Sequence, residues 1–307
     1  MNQVGYRREI LEPFTVGETM FAHIGLYNPS KPVSRILSRN PGAALLVNER
    51  EHRMVRMFAK AVASADGVAL DCDWTSVLGN QFDAICKTFP VGLQEENRLD
   101  VNRYITSLQQ GHPENYRSLL LRFIGRMKQA GITRGQVRAL AQAMPRRGHI
   151  IELLTTFQQN RRCVITSGLY DFVDPLFHDL PPRSGSPALD IFGAELIWND
   201  DGTIHSCQHS SIIGDGDKGR VFLEACCRGG CRPARTIAIG DWRNDKAMWE
   251  IGLGILVLPL LSADSDSSEI GRDRLAMVDE MAPFVSAILR SDSFELIVRM
   301  RTGHFFL

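Results

Sequence analysis

The order of hydrophobic and polar positions predicts alternating strands and helices along most of this chain. Short apolar runs predict strands, and stretches with apolar side chains three and four residues apart predict helices between them. The predicted strands are residues 68–70, 163–166, 191–198, 236–239 and 254–258, and the later strands are separated by predicted helices at 150–160, 219–228 and 245–251. Short buried strands separated by helices predict an α/β fold, a Rossmann-like three-layer parallel sheet with helices on both faces.

Residues 79–148 interrupt this alternation. Tyr104, Phe123 and Met127 belong to a series of apolar residues at helical spacing, and β-branched alternation is scarce. This segment therefore predicts a helical cap inserted after the first strand. The chain then divides into an N-terminal accessory segment (1–60), a core (61–78 and 149–307) and the cap (79–148).

Three further predictions concern the two ends of the chain and one turn. Four prolines predict an irregular segment over residues 1–43, and apolar residues on one face predict a helix over 44–63. The tail at 294–300 predicts a further strand. The polar run at 199–202 predicts a hairpin turn.

The composition excludes several classes of protein. Among the 307 residues, 35 Lys and Arg balance 35 Asp and Glu, so the charge does not indicate binding to nucleic acid or to an anionic membrane. The longest apolar stretch, 251–261, is shorter than the roughly 20 residues of a membrane helix and contains Pro259. The N-terminus lacks the apolar segment of a signal peptide. We therefore expect a cytoplasmic protein that does not bind membranes.

The cysteines agree with that location. There are seven, an odd number at irregular spacing, which predicts reduced thiols and no disulfide framework. A zinc site at Cys226, Cys227 and Cys231 is the alternative, but no CxxC pair or matching histidine spacing supports it.

Polar residues follow three of the predicted strands. Asp71 and Asp73 follow the first strand, Ser167 follows the second, and Asp241 follows residues 236–239. The carboxyl ends of parallel strands lie at one edge of the sheet, where such folds bind ligands. Neighbouring carboxylates repel each other unless a cation lies between them or one holds a proton. The alternative is that Asp71 and Asp73 simply begin a solvated turn.

The same edge supplies groups that suit a phosphoryl group. Asp241 and Asp245 bring the number of carboxylates to four, and oxygen ligands of this kind suit Mg²⁺. Ser167 offers a hydroxyl, Gly168 a backbone amide and Lys218 a positive charge for phosphoryl oxygens. A carboxylate can then attack the phosphorus atom.

These residues form four ordered motifs that resemble those of the haloacid dehalogenase superfamily of phosphohydrolases. The motifs are Asp71-x-Asp73-x-Thr75, Ser167-Gly168, Lys218 and Gly240-Asp241-x-x-Asn244-Asp245. The resemblance covers residues 66–260, and the helical insertion after the first motif is similar to the cap of the phosphoserine-phosphatase-like branch. It implies that the core is the catalytic domain.

The resemblance implies a role for each motif residue. Asp71 is the expected nucleophile, which forms an aspartyl-phosphate, and Asp73 is the expected general acid and base. Asp71, the backbone carbonyl of Asp73, and Asp241 are the expected Mg²⁺ ligands. The remaining motif residues are expected to bind phosphoryl oxygens (Ser167, Gly168, Lys218) or to support the site (Thr75, Asn244, Asp245).

The implied activity is hydrolysis of a small phosphorylated metabolite. An amino-acid or hydroxy-acid phosphate is one expected substrate, and a nucleotide or sugar phosphate is the alternative. Trp74 stands where similar proteins often have a small residue, and residues 76–83 lack the glutamate that meets a substrate amino group in the resembled branch. Residues 1–60 lie outside the resemblance, and a homodimer is a further expectation.

Two other classes of protein compete with this interpretation. Gly214, Gly216 and Gly219 form a GxGxxG pattern, which is typical of NAD- or FAD-dependent oxidoreductases. Against it, Asp215 and Asp217 would face the pyrophosphate of such a cofactor. A catalytically silent binding protein is the second rival, although it would not need clustered carboxylates.

Overall fold

The computed structural model describes residues 14–16, 19–40, 42–109, 115–180, 188–214, 216–260 and 277–305. Its strands are β1 Phe14–Val16, β2 Thr19–Tyr27, β3 Ala43–Asn48, β4 Gly67–Leu70, β5 Arg162–Leu169, β6 Asp190–Ala194, β7 Leu196–Trp198, β8 Ile204–Cys207, β9 Thr236–Gly240, β10 Leu253–Leu258 and β11 Ala287–Arg290. Its α-helices are α1 Ser34–Arg39, α2 Val55–Ala63, α3 Gln81–Cys86, α4 Val91–Gln109, α5 Tyr116–Gln129, α6 Arg134–Ala143, α7 Ile150–Thr155, α8 Tyr170–Val173, α9 Asp217–Gly229, α10 Lys246–Trp249 and α11 Glu295–Thr302.

Nine strands form one sheet in the order β1-β2-β3-β11-β10-β9-β4-β5-β6. Strands β11, β10, β9, β4, β5 and β6 are mutually parallel, whereas β3 runs antiparallel to β11. Successive residues of β10 pack into different apolar clusters, with Ile255 in one and Leu256 in the other. Because alternate side chains of a strand point to opposite faces, both faces of the sheet are covered. The predicted α/β fold with a largely parallel sheet is confirmed.

The prediction of a helix over residues 44–63 is wrong for its first part. Residues Ala43–Asn48 form β3 and are buried along their whole length, while the helix α2 begins at Val55. A continuous apolar run has no period that separates a buried strand from a buried helix. Pairing with β2 on one side and β11 on the other makes it a strand.

The predicted irregularity of residues 1–43 is also wrong where the structure describes them. Strand β2 runs for nine residues from Thr19 to Tyr27, and Pro29 and Pro32 lie beyond its end. These prolines therefore end the strand and do not prevent it. Strands β1 to β3 of the accessory segment thus join the main sheet.

The tail, predicted as a strand over 294–300, is the helix α11. Its buried residues Leu296, Ile297 and Met300 are one, three and four positions apart, which is the spacing of one helix face. The helix packs against α2 and α7. This packing favours a helix over a strand, because it buries the face that carries the apolar side chains.

The hairpin predicted at 199–202 is confirmed, with β7 and β8 pairing antiparallel. The predicted strand at 191–198 is divided into β6, at the edge of the main sheet, and β7, in the hairpin. The hairpin contacts the segment 79–148, because the amide of Arg134 donates to the carbonyl oxygen of Gly202 (2.9 Å) and Thr133 bridges to Thr203. This segment is therefore attached through the hairpin as well as through its own two ends.

Helices α3 to α6 lie within the segment 79–148 that was predicted as the cap. In it, the carboxylate of Asp100 on α4 accepts from Arg122 Nε (3.0 Å) and from Arg126 on α5. Burial raises the pKa of Asp100, but the guanidinium groups of Arg126 and Arg122 outweigh burial and hold that pKa below its usual value. This ion cluster joins α4 to α5.

Replacing Asp100 by Asn should lower the free energy of unfolding by about 2 kcal/mol at neutral pH, because Arg126 then loses its buried carboxylate partner and keeps only the exposed Glu96 (3.5 Å). The folded pKa of Asp100 lies below its unfolded value, so this contribution is present above the unfolded pKa and is lost as pH falls through the folded pKa. Urea denaturation of wild type and variant from about pH 7 to about pH 3 should show the difference shrinking toward low pH. A difference independent of pH would contradict this role.

Tyr27 fastens β2 to the segment before β11. Its hydroxyl lies 2.8 Å from the carbonyl oxygen of Ala282 and 2.9 Å from that of Val285, and it is buried. We expect Tyr27→Phe to lower the free energy of unfolding by about 1–2 kcal/mol, because these carbonyls lose a donor while the ring still fills its space. An unchanged midpoint of chemical denaturation would show that the hydroxyl does not hold this strand to the sheet.

Candidate active site

The predicted site residues lie at the carboxyl ends of β4, β5 and β9, which are neighbours in the sheet. Asp71 follows β4 directly, Ser167 is near the end of β5, and Asp241 follows β9. The amide of Asp71 donates to the carbonyl oxygen of Ile239 (2.8 Å), so the ladder between β4 and β9 continues to the first aspartate. The expected convergence of these side chains at one sheet edge is therefore observed.

Three carboxylates meet at this edge. Oxygen atoms of Asp71, Asp241 and Asp245 lie within 4.8 Å of one another, and all three residues are buried. The ammonium group of Lys218, itself only 1% exposed, lies 2.6 Å from Asp71 Oδ1 and 2.6 Å from Asp245 Oδ1. Lys218 thus bridges two of the three carboxylates.

Burial and ion pairing oppose each other in this cluster. Burial lowers the pKa of Lys218, but the carboxylates of Asp245 and Asp71 outweigh burial and raise that pKa above its usual value. Burial raises the pKa of Asp245 to about 6, against the opposing effect of Lys218. The lysine is therefore held charged, and the carboxylates are costly to bury.

Asp245 is fixed from two sides. Its Oδ2 atom accepts from the backbone amides of Asp241 (3.0 Å) and Trp242 (3.1 Å). A Cβ at Gly240 would lie 2.2 Å from Asp245 Oδ2, so only glycine leaves room for this carboxylate. The glycine and the two aspartates of the fourth motif therefore depend on one another.

The donor set fits a hard divalent cation. Carboxylate oxygens of Asp71, Asp241 and Asp245 are the kind of ligand that Mg²⁺ prefers, and one ammonium group does not balance three carboxylates. Thr75 Oγ1 donates to Asp241 Oδ1 (3.4 Å) and so restrains the third carboxylate. In the described part of the chain, this is the one group of three or more potential metal-binding side chains.

Asp73 has different surroundings. Burial and the neighbouring Asp71 carboxylate raise the pKa of Asp73 to about 7. Both of its carboxylate oxygens accept from Gln81, one from the backbone amide (2.7 Å) and one from Nε2 (3.0 Å). No motif in the sequence indicates Gln81, so this partner was missed.

Ser167 and Gly168 are contacted by residues from distant parts of the chain. Asn244 Nδ2 lies 3.5 Å from Ser167 Oγ, and Tyr116 on α5 donates from its hydroxyl to the carbonyl oxygen of Ser167 (2.9 Å). The amide of Gly168 donates to Thr166 Oγ1 (2.9 Å). In this structure, the Gly168 amide that is expected to donate to a phosphoryl oxygen therefore donates to the hydroxyl of Thr166.

The turn after Asp73 has an unusual backbone. Trp74 has a φ of +54°, a left-handed backbone conformation that residues other than glycine rarely adopt. Its amide donates to the carbonyl oxygen of Gly79 (2.9 Å). Such a residue needs support from its surroundings to keep this conformation.

Arg147 supplies that support, and sequence reasoning missed it. Its guanidinium group is buried and donates to the carbonyl oxygens of Thr75 (2.7 Å), Trp74 (2.5 Å) and Ser291. It also lies 5.5 Å from the ring centroid of Phe294. The side chain of Arg147 thus joins the turn of the first motif to the segment after β11. The sequence gives no signal for it, because Arg147 stands next to a second arginine, Arg146, and nothing marks one of the two as buried.

Two patterns that competed in the sequence do not form sites. Residues 209–211 form a 3₁₀ turn, and no strand lies between the end of β8 at Cys207 and the GxGxxG pattern. Gly216 of that pattern (φ +82°) caps α9. Cys226 is buried while Cys227 is exposed, and they belong to no metal-binding group among the described residues. Neither a dinucleotide fingerprint nor a zinc site is supported.

Known structures share this fold. A HAD-family hydrolase from Salmonella enterica subsp. enterica serovar Typhi aligns with a TM-score of 0.52 and 19% identity over 69% of this chain and 66% of its own, just under two thirds. Cytosolic 5′-nucleotidase IIIB bound to cytidine aligns with a TM-score of 0.56 and 11% identity over 90% and 97%. A phospho-aspartyl intermediate analogue of phosphoserine phosphatase aligns with a TM-score of 0.49 and 17% identity over 72% and 99%. No protein-family profile and no curated protein sequence matches the chain.

The first two alignments confirm the α/β fold predicted from the sequence, and this chain has the fold of haloacid dehalogenase (HAD) hydrolases. The resemblance that the four motifs indicated is thus confirmed at the level of the fold. Within the described ranges, no helix combines the length and apolar character needed to cross a membrane.

Replacing Arg147 by Lys should lower the free energy of unfolding by about 3 kcal/mol, because a lysine cannot donate to three separate carbonyl groups. Thermal and urea unfolding measure this loss. Arg146→Lys is a matched control at the neighbouring position, since its pair with Asp179 (2.7 Å) is partly exposed and should contribute about 1 kcal/mol or less. Equal losses at both positions would refute a special role for Arg147.

Proposed function

We propose that this protein is a Mg²⁺-dependent phosphomonoester hydrolase that acts on a small phosphorylated metabolite. The observation that supports it most is Lys218 between Asp71 and Asp245 within the buried acidic group at the sheet edge. This combination supplies both a cation site and a positive charge for a phosphoryl group. The shared HAD fold is consistent with it.

In this proposal Asp71, the backbone carbonyl of Asp73, and Asp241 hold Mg²⁺, and Asp245 supports them through Lys218 and the amide of Asp241. When bound, the cation offsets the negative charge of the phosphoryl group. Ser167 and Lys218 bind phosphoryl oxygens, and the Gly168 amide joins them by exchanging its bond to Thr166.

The reaction then has two steps. First, an Asp71 carboxylate oxygen forms a bond to phosphorus while the ester P–O bond breaks, and protonated Asp73 gives its proton to the leaving oxygen. Second, the oxygen atom of a water molecule attacks the phosphorus atom of the aspartyl-phosphate, while Asp73, now a carboxylate, takes a proton from that water molecule. The bond between Asp71 and phosphorus breaks, which releases inorganic phosphate and restores both aspartates. A pKa of about 7 suits Asp73 to both roles near neutral pH.

Two classes of substrate are candidates for this site. An amino-acid or hydroxy-acid phosphate and a nucleotide or sugar phosphate are both compatible with the sheet edge. Asn80, the residue just before α3, accepts hydrogen bonds from the amides of Phe82 and Asp83 and so serves as the N-cap of that helix. One structural neighbour, a 5′-nucleotidase, was solved with cytidine, which makes a nucleotide the second candidate to assay. A division into core and cap at residues 79 and 148, a homodimer and a cytoplasmic location stay predictions.

Phosphate release from a panel of phosphomonoesters tests the proposal, with Mg²⁺ and with EDTA. Wild type should release phosphate only with Mg²⁺, Asp71→Asn should release none, and Asp73→Asn should be slower by about 10²–10⁴-fold. Asp200→Asn, an exposed aspartate in the hairpin turn, is the matched control and should keep wild-type rates. The order of rates among the esters identifies the substrate class.

Three outcomes would count against the proposal. Turnover by Asp71→Asn at the wild-type rate would exclude this nucleophile. No release from any ester by folded wild type that binds Mg²⁺, measured by calorimetry, would favour a silent binding protein. Binding of a nicotinamide or flavin cofactor would instead favour the oxidoreductase alternative.

A further inference from the structure

Gln81 makes contacts that the four motifs do not explain. We propose that Gln81 is a positioning residue that holds the Asp73 carboxyl group in place for proton transfer and ties it to the strand end that carries Ser167. This role rests on the proposed phosphatase activity. It assigns a function to a cap residue outside every motif.

One residue holds both oxygens of Asp73. The backbone amide of Gln81 donates to Oδ1 (2.7 Å), and Gln81 Nε2 donates to Oδ2 (3.0 Å). Two attachment points fix the plane of the carboxyl group, because rotation about its last bond would break one of them. Each oxygen keeps a second lone pair, which can carry the proton for the leaving group.

The orientation of the Gln81 amide is determined by its other partner. The backbone amide of Leu169 donates to Gln81 Oε1 (2.7 Å). A backbone N–H can only donate, so Oε1 must face Leu169 and Nε2 must face Asp73. Gln81 is fully buried, so water does not compete for these bonds.

Gly168 provides the space that Gln81 occupies. A Cβ at residue 168 would lie 2.0 Å from Gln81 Nε2 and 2.5 Å from Oε1. Any other residue at 168 would therefore displace the amide. The glycine of the second motif is thus needed for room beside β5, in addition to any contact with phosphate.

Gln81 also belongs to the cap, because it is the first residue of α3. The same side chain therefore contacts the acid–base residue, the end of β5 and the start of the cap. A movement of α3 away from the sheet would release Asp73 and Leu169 together.

The test compares leaving groups. Gln81→Met keeps the length of the side chain and removes its donor and acceptor. With Mg²⁺, kcat/KM for an alkyl phosphate should fall about 100-fold, because its leaving oxygen needs the proton from Asp73. For p-nitrophenyl phosphate, whose leaving phenolate needs no proton, kcat/KM should fall about threefold or less. The comparison uses kcat/KM because the second step is common to both esters. Gln208→Met, at an exposed glutamine, is the control and should match wild type.

A second pair of variants tests the space argument and remains informative if Gln81→Met does not fold. Gly168→Ala should cause the same selective loss for the alkyl phosphate, because its Cβ displaces the Gln81 amide. In a Gln81→Ala background, where that amide is absent, Gly168→Ala should cause almost no further loss. Thermal unfolding checks that each variant is folded.

The outcomes separate this role from the phosphatase function itself. Equal losses for both esters in Gln81→Met would overturn the positioning role, since a purely structural defect affects both alike. An equal penalty of Gly168→Ala in both backgrounds would overturn the space argument. If wild type hydrolyses neither ester with Mg²⁺ present, the phosphatase function fails first, and the positioning role fails with it.

Discussion

The buried ammonium group of Lys218 is the interaction on which the rest of the site depends. Three carboxylates in a buried position repel each other, and the free energy of placing them there is recovered only with positive charge nearby. Strands β4 and β9 bring Asp71 and Asp241 to the edge, and α9 brings Lys218 at its second residue. One lysine leaves excess negative charge in this cluster, and carboxylate oxygens of this kind are the ligands that hard divalent cations prefer.

The core of the fold was predictable because its strands are short, buried and separated by helical patterns. Strand β3 and helix α11 were not, and the reason is the same for both. Each contains a short apolar run, Ala43–Val47 in β3 and Leu296–Val298 in α11, that is too short to show a period. For β3, the neighbour that makes it a strand is distant in sequence, because β11 lies about 240 residues beyond it. Prolines were overinterpreted, because Pro29 and Pro32 lie beyond the end of β2.

The site divides in a similar way. Residues such as Asp71 and Lys218 were predictable because their chemistry is specific and they follow strand ends or precede a helix. Gln81 and Arg147 carry no such signal. Their importance arises from hydrogen bonds to Leu169 and Ser291, which are 88 and 144 residues away along the chain. A single sequence records the identity of a glutamine or an arginine but not the carbonyl or amide that it will meet.

The bond between Arg147 and Ser291 links the form of the first motif to a late part of the chain. The left-handed residue Trp74 lies in the first third of the chain. Arg147, which supports it, also binds a carbonyl oxygen that lies directly after β11. Closing a loop of this length has an entropic cost that the finished fold must offset. The geometry of the first motif therefore depends on the packing of a segment that lies more than 200 residues further along the chain.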